Sequence, residues 1–512
     1  MNHHPVRKWW VLIAMASSIS TIFLDQTILP VSLPTIQREL GIPAIGLQWI
    51  INSYLLVLTT LLLAGGRLGD IFGHRKIFCL GLLIFAASSA LCSLSFTGWW
   101  LIFSRSIQGI GGALLIPSTS AILYSAFPQN ERGKAIGIYV SIGSVFLALG
   151  PTIGGFFTQY LSWRYIFWIN LPIAAIGLLL TLIFVPRSEK KRETFDVLGL
   201  VTFGSGIIAL VLGLMQAKSW GWTSAMTLLL ILCGIGLIIW FFTADRFQKD
   251  PLIDFSLFRN KNFIGAMLCI VCVSFLLMTT VFWVMYFQEI LHYSPSESGL
   301  LSLISNVPVM VFAPLGGFLV DKYGPKLPVI TGFLLVIFSL LWFAFYPSTR
   351  DVYLLLPVLI PFGAGIPMIL SPSFVALMHE VPTKKRGITS AFYNTARQFA
   401  TTLGLAIIGA LFLHIHYNGL EKDLARNPET RSFDINQFEG LLANCPSAMQ
   451  AYQNLSEHTA KIVMESFAQT YITAFSYINL FAALIGFIGL LFAIFYLKKR
   501  LDRRREHVIG VE

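Results

Sequence analysis

Asp25, Arg105 and Arg397 are ionisable side chains set deep within long apolar runs, in a chain of which only 12% is charged. A charge at lipid depth costs a few kcal/mol on insertion scales, so such groups point to function. At about 1.5 Å of rise per residue, Asp25 lies roughly 24 Å along the run that begins near Trp9. Arg105 follows Trp100 by five residues, and an indole there suits a membrane interface. Read with the N-terminus inside, both fall in the outer half of the membrane, where they can meet across a cavity. They would form either a proton-coupling pair or a static ion pair. A carboxylate in such a cavity keeps its proton when desolvated and gives it up beside a guanidinium, so an acid moving between those surroundings carries protons.

Arg397 lies about 14 Å into its run by helix rise, placed to line a cavity or to pair with an acid of a neighbouring helix. Glu289, near the outer end of another run, reads as a cavity acid or an interfacial one. Gln108, Asn306 and Asn394 either face a cavity or knit helices together. His414 and His416 read as interfacial. No H-E-x-x-H, G-K-[ST] or G-x-S-x-G pattern occurs, and no metal cluster is expected, so the residues do not read as an enzyme or a nucleotide-driven machine.

The elements that must hold these residues are membrane helices. The 512 residues are 55% hydrophobic with a mean hydropathy of +0.73. Runs of about 18 apolar residues or more are long enough to span a bilayer. Fourteen are found, from 9–30 and 46–66 to 388–415 and 470–497, so the fold class is an all-α polytopic membrane protein. With the N-terminus inside, 26 of the 36 Lys and Arg residues fall at the inner face and eight at the outer. That bias sets both termini in the cytoplasm. Basic residues scattered among loops do not make a nucleic-acid surface, despite the net charge of +11. Cys269 and Cys272 form C-x-x-C at lipid depth without a second pair, which reads as packing, and Cys445 stands alone in a polar outer loop, 417–469.

One short stretch concentrates charge and glycine between two of the runs. GRLGDIFGHRK (66–76) has a counterpart in GGFLVDKYGPK (316–326), matching Gly66 to Gly317, Asp70 to Asp321, Gly73 to Gly324 and Arg75 to Lys326. QGIGGALLIPS around Gly109 matches FGAGIPMILSPS around Gly363, and Arg132–Gly133 matches Arg386–Gly387, at offsets of 251, 254 and 254. The chain is thus an internal duplication. It divides into 1–186, a six-helix bundle; 187–261, an inserted pair of helices with linkers; and 262–512, a second six-helix bundle carrying loop 417–469. Repeated bundles of this kind place a substrate site between the halves near mid-membrane. Within each knot, glycines allow close approach, Asp70 suits a helix N-terminus, and the basic residues hold the turn at the inner face. Gly66, Asp70, Gly73, Arg75, Asp321, Gly324 and Lys326 would then gate the inner side.

G-x-L-x-D-x-x-G-x-R at 66–75 resembles the hallmark loop of the major facilitator superfamily. LDQTILPVSLP (24–34), RSIQGIGGA (105–113), LGPTIGG (149–155) and WRYIFWINLP (163–172) resemble motifs of its fourteen-span drug:proton antiporters, the EmrB/QacA-like branch. Ile71, His74, Pro30 and Phe146 depart from those patterns. The resemblance implies the major facilitator fold: two pseudo-symmetric six-helix bundles plus two inserted helices, fourteen transmembrane helices in all. It gives Asp25 and Arg105 roles in proton coupling, and gives Gly150, Pro151, Gly154 and Gly155 a tight interface that limits leak. It implies no cofactor beyond the proton gradient. The partners would be a small organic substrate, protons and the lipid bilayer, with a periplasmic adaptor if the cell is Gram-negative, and the unit a functional monomer. The location would be a bacterial cytoplasmic membrane. Export of amphipathic or cationic compounds is the function expected; export of a native metabolite, siderophore, lipid or peptide and uncoupled facilitation are the alternatives.

Overall fold

A computed structural model describes residues 5–128, 131–186, 197–246, 255–346, 352–381, 386–426, 430, 450 and 455–499. Its helices are α1 (Pro5–Leu40), α2 (Ala44–Phe72), α3 (His74–Ser93), α4 (Gly98–Ala126), α5 (Arg132–Tyr160), α6 (Tyr165–Trp168) and α7 (Asn170–Phe184). An apolar pair follows, α8 (Val197–Trp220) and α9 (Ala225–Asp245). The second half comprises α10 (Lys261–Leu276), α11 (Thr279–Glu289), α12 (Pro295–Tyr323), α13 (Lys326–Phe345), α14 (Val352–His379), α15 (Arg386–Arg426) and α16 (Glu457–Tyr496). Because α6 with α7 and α10 with α11 each make one crossing, the described helices provide 14 spans. Helices satisfy their own backbone groups, which lipid cannot do.

Lipid offers no hydrophobic drive for helix to meet helix, so small residues must let backbones touch. A Cβ on Gly109 of α4 would stand 2.6 Å from the Tyr54 carbonyl oxygen of α2, and one on Gly363 of α14 would stand 1.8 Å from the Ser305 carbonyl of α12. Gly111 meets the Gly81 carbonyl at 2.9 Å, and Gly365 meets that of Gly332 at 2.6 Å. Residues 54 and 305, like 81 and 332, differ by 251, and 109 and 363, like 111 and 365, by 254. The duplication read from loop motifs therefore recurs in the helix contacts themselves. It recurs again in the knots, where Gly73 and Gly324 both take positive φ, at 94° and 79°. Arg75 Nη2 donates to the Leu182 carbonyl at the end of α7, and Lys326 Nζ donates to the Ile494 carbonyl near the end of α16. Gly66 and Gly317 lack this rationale: the nearest atom to a Cβ on Gly66 is at 3.6 Å, and Gly317 faces open space.

α8 lies against the seam between the halves. Asn52 Nδ2 of α2 donates to Met215 Sδ at 3.0 Å, and Ile207 and Val211 are buried with Leu56 of α2 and Ala406 of α15. α9 packs outside it, presenting Leu228, Leu229 and Leu232 outward.

The region 417–469 differs from the loop expected. α15 continues to Arg426, and α16 begins at Glu457, so both helices extend beyond the apolar core. Tyr417, Leu420 and Leu424 repeat at helical spacing and are buried, as are Val463 and Phe467. His416 is buried rather than interfacial: it pairs with Thr470 at 3.1 Å and packs on Phe412, Phe467 and Tyr471. Cys445 lies outside the described residues. Cys269 and Cys272 are free thiols in α10, as packing requires.

At the end of the bundle carrying the knots, here the basic face, one acid ties three helices. Glu380 accepts from Lys498 Nζ (2.8 Å), Asn260 Nδ2 (2.6 Å) and Asn262 Nδ2 (3.1 Å), with its side chain 1% exposed. Burial pushes its pKa up, but the bonds from Lys498 and Asn260 and the charges of Lys498 and His379 outweigh burial and hold it below its ordinary value. A depressed carboxyl contributes stability above its ordinary value of about 4.5 and loses it as pH falls through the folded value. Wild type should therefore lose thermal stability below about pH 4.5, and Glu380→Gln should flatten that loss, read by unfolding midpoints across an acid series. The glycine contacts give a second expectation. Gly363→Ala should destabilise by about 1–3 kcal/mol through overpacking, while Gly317→Ala should be neutral or slightly stabilising.

Candidate functional site

Asp25, Arg105 and Gln108 converge. Arg105 Nη1 donates to Asp25 Oδ2 at 2.6 Å and to Gln108 Oε1 at 2.7 Å, and Gln108 Nε2 donates to Asp25 Oδ1 at 2.9 Å. Residues 105 and 108 share one face of α4 because they are three apart, so the amide sits beside the cation and closes a ring with the acid of α1. All three side chains are at most 1% exposed. Arg105 Nε reaches the Ile50 carbonyl at 3.2 Å, and its guanidinium lies 4.4 Å from the Tyr54 ring centroid. Ser89 Oγ accepts from Gln108 Nε2 at 2.9 Å and from Asn170 Nδ2 at 3.3 Å, bringing in α3 and α7.

Ser89, Asn170, Tyr54 and the Ile50 carbonyl were not singled out from sequence. Serine and asparagine in membrane helices are too common to rank, and a backbone carbonyl has no sequence signal. Asn170 did stand within the WRYIFWINLP stretch, and the rest of that stretch is structural. Trp163 Nε1 and Arg164 Nη1 both donate to Glu39, the latter at 2.7 Å, pinning α6 to the end of α1.

The remaining candidates lie elsewhere. Glu289 pairs with Arg38 at 3.1 Å, joining the halves at the face opposite the basic one. Asn394 donates to the Ser390 carbonyl of its own helix at 2.9 Å. Asn306 is partly buried in α12, and Arg397 lies partly buried on α15. Asp70 pairs with His74 at 3.2 Å, across the Gly73 turn, so a residue that departs from the loop pattern supplies a partner to its acid. A Cβ on Gly69 would stand 2.3 Å from His74 Nδ1, which explains that glycine. Asp321 lies in the last turn of α12, and its side chain lies outside the described residues.

The glycines of α5 divide their work. A Cβ on Gly150 would stand 2.0 Å from Thr27 Oγ1 and one on Gly154 2.5 Å from the Ile28 carbonyl, both on α1. A Cβ on Gly155 would stand 2.4 Å from the Pro295 carbonyl of α12, and one on Gly299 2.3 Å from the Pro151 carbonyl. Phe146 does not hold the helices apart. Further links between the halves at the same face are Gln288 Nε2 to the Val31 carbonyl (2.8 Å) and the Ser296 amide to Gln159 Oε1 (3.1 Å). Near mid-bundle, Thr59 and Thr402 share a hydrogen bond at 3.1 Å. At the basic face, Lys8 with Glu131, Arg75 with Leu182, Lys326 with Ile494 and Lys498 with Glu380 are each contacts within one half. The halves are closed at the face opposite the basic one.

Comparison with known proteins agrees with this architecture. The sequence profile of the Major Facilitator Superfamily matches residues 15–200 and 197–405. The multidrug resistance protein Stp of Mycobacterium tuberculosis is 33% identical over 410 residues, covering 78% of this chain and 75% of Stp. The riboflavin transporter RibZ of Clostridioides difficile is 32% identical over 415 residues, covering 79% of this chain and 88% of RibZ. Among solved structures, a bacterial homologue of the human lysosomal transporter Spinster, inward-facing and unoccupied, superimposes with a TM-score of 0.67 at 16% identity, over 97% of this chain and 99% of that one.

Removing one member of a buried ion pair strands the other in low dielectric, at a cost of about 3–5 kcal/mol. Asp25→Ala and Arg105→Met should each lower the unfolding midpoint sharply. The double variant should recover much of the loss, and additive losses in the cycle would show that the pair is not energetically coupled.

Proposed function

Because the chain belongs to the major facilitator superfamily, we propose that it is a proton-coupled antiporter of a bacterial cytoplasmic membrane, exporting amphipathic organic compounds by alternating access. The observation that carries this reading is the buried ring of Asp25, Arg105 and Gln108. Asp25 is the acid whose protonation would change the balance there. With a proton on Asp25 the ion pair is lost, and Arg105 retains Gln108 Oε1 and the Ile50 carbonyl as acceptors. Deprotonation restores the pair and draws α1 onto α4. α1 also carries Thr27 and Ile28, which meet the α5 glycines, and Val31, which meets Gln288 of the other half. A charge change at Asp25 thus acts on a helix that helps hold the opposite face shut.

The drive is the proton gradient, including about 2.3 kcal/mol per charge for each 100 mV of membrane potential. No cofactor enters this scheme, and it needs only a monomer. The inner gate would be the knots, with Asp70 and His74 in one and Gly324 and Lys326 in the other. Of the two substrate expectations, the site supports amphipathic over cationic, since its acid is already neutralised by Arg105. A second reading, transport of a native metabolite, is favoured by the resemblance to RibZ.

In proteoliposomes with ethidium and riboflavin as separate probes, an imposed pH gradient should drive accumulation, and adding the transported probe should move protons the opposite way. Asp25→Asn should lose gradient-driven accumulation by about tenfold or more while still binding probe. Flux indifferent to the gradient would favour an uncoupled facilitator.

A further inference from the structure

We infer that Arg397 is the anchor of an anion-recognition site in the cavity between the halves, so that the chain favours aromatic substrates bearing a carboxylate or another anionic group. This inference rests on the transport reading above and names its substrate class.

Arg397 lies eleven residues into α15, about 16 Å along the helix. Its Nε is enclosed by protein and has no hydrogen-bond acceptor. Among the described residues its guanidinium forms no ion pair, whereas the other arginine at comparable depth, Arg105, is neutralised by Asp25. Of these two arginines, one buried and one half-buried, only Arg105 has an acid against it among the described residues. A half-buried guanidinium with an unpaired Nε and no counter-charge is poorly satisfied, and an arriving anion supplies charge-assisted hydrogen bonds.

The neighbours fit the same ligand. Gln398, 4% exposed, has a buried Nε2 with no acceptor, adding a second donor. Both side chains belong to the side of α15 turned toward the N-terminal half. Thr402, one turn beyond Gln398, bonds Thr59 of α2, and Arg397 lies within electrostatic reach of Tyr139 of α5. Tyr393, one turn before Arg397, lies within its reach too and packs on Phe374 of α14 at 4.7 Å between ring centroids. Two N–H donors without acceptors, flanked by rings from α5, α14 and α15, match a flat organic anion. They match a cationic drug poorly, because it would face Arg397 with like charge.

The test uses the full-length protein in detergent and a matched pair of dyes, a rhodamine bearing a free carboxylate and its methyl ester, with binding followed by fluorescence anisotropy. Wild type should bind the acid about tenfold or more tightly than the ester. Arg397→Gln should abolish that preference by weakening the acid and tightening the cationic ester, Arg397→Lys should keep most of it, and Arg397→Glu should invert it. An acid-to-ester ratio unaltered in Arg397→Gln overturns the inference. So does equal loss of both dyes in Arg397→Gln and Arg397→Lys, which would mark Arg397 as structural. Gradient-driven uptake of both dyes on the same preparations separates the two readings. Uptake without proton drive but with the acid preference intact defeats only the antiport reading, and proton-driven uptake without the preference defeats only this one.

Discussion

One ion pair, held with almost no access to solvent, organises the N-terminal half. Asp25 and Arg105 are each 1% exposed, and burying either charge at that depth without the other is costly. Gln108 makes the arrangement reversible, because its amide donates to the acid and accepts from the cation. An amide in that position can keep Arg105 hydrogen-bonded when the acid takes a proton, so loss of the pair need not leave a bare cation. Ser89 and Asn170 then hold Gln108 from behind, which links the site to α3 and α7.

The same constraint explains why α1 is central. Within residues 25–31 it carries the acid, the two residues that meet the glycines of α5, and a carbonyl that binds the other half. Two helical turns thus join charge state, packing and closure between the halves. α5 works as the matching plate, with Gly150 and Gly154 turned to α1 and Gly155 turned to α12. Interfaces built from backbone contact are stiff, since no side chain is present to adjust. Such stiffness favours rigid rotation of one half against the other over local deformation.

Much of this was legible in the sequence, for identifiable reasons. Apolar length gives spans directly, and glycine at duplicated positions marks places where backbones touch, so Gly109 with Gly363 and Gly73 with Gly324 appear in both readings. Asp25 and Arg105 stood out because charge is expensive in lipid. Other features left weaker signals. The continuation of α15 and α16 beyond the apolar runs was written in the spacing of Tyr417, Leu420 and Leu424, but polar residues between them lowered the hydropathy that defines a span. Glu380 was passed over because it sits at a span end, where acids are common. Its three donors come from residues 260, 262 and 498, which only the fold brings together.

Charge accounting across the two halves carries the last step. The N-terminal half encloses an acid and a base that cancel, so its interior presents little net field to a ligand. The C-terminal half repeats the glycines and the knots of the first, but among the described residues Arg397 of α15 forms no ion pair. Pseudo-symmetry of the backbone therefore coexists with asymmetry of charge. Under the antiport reading proposed above, the acid that exchanges a proton and the cation that holds the substrate's counter-charge would sit on bodies that move relative to each other, so proton and substrate would be linked through the motion of the halves rather than through a shared acid.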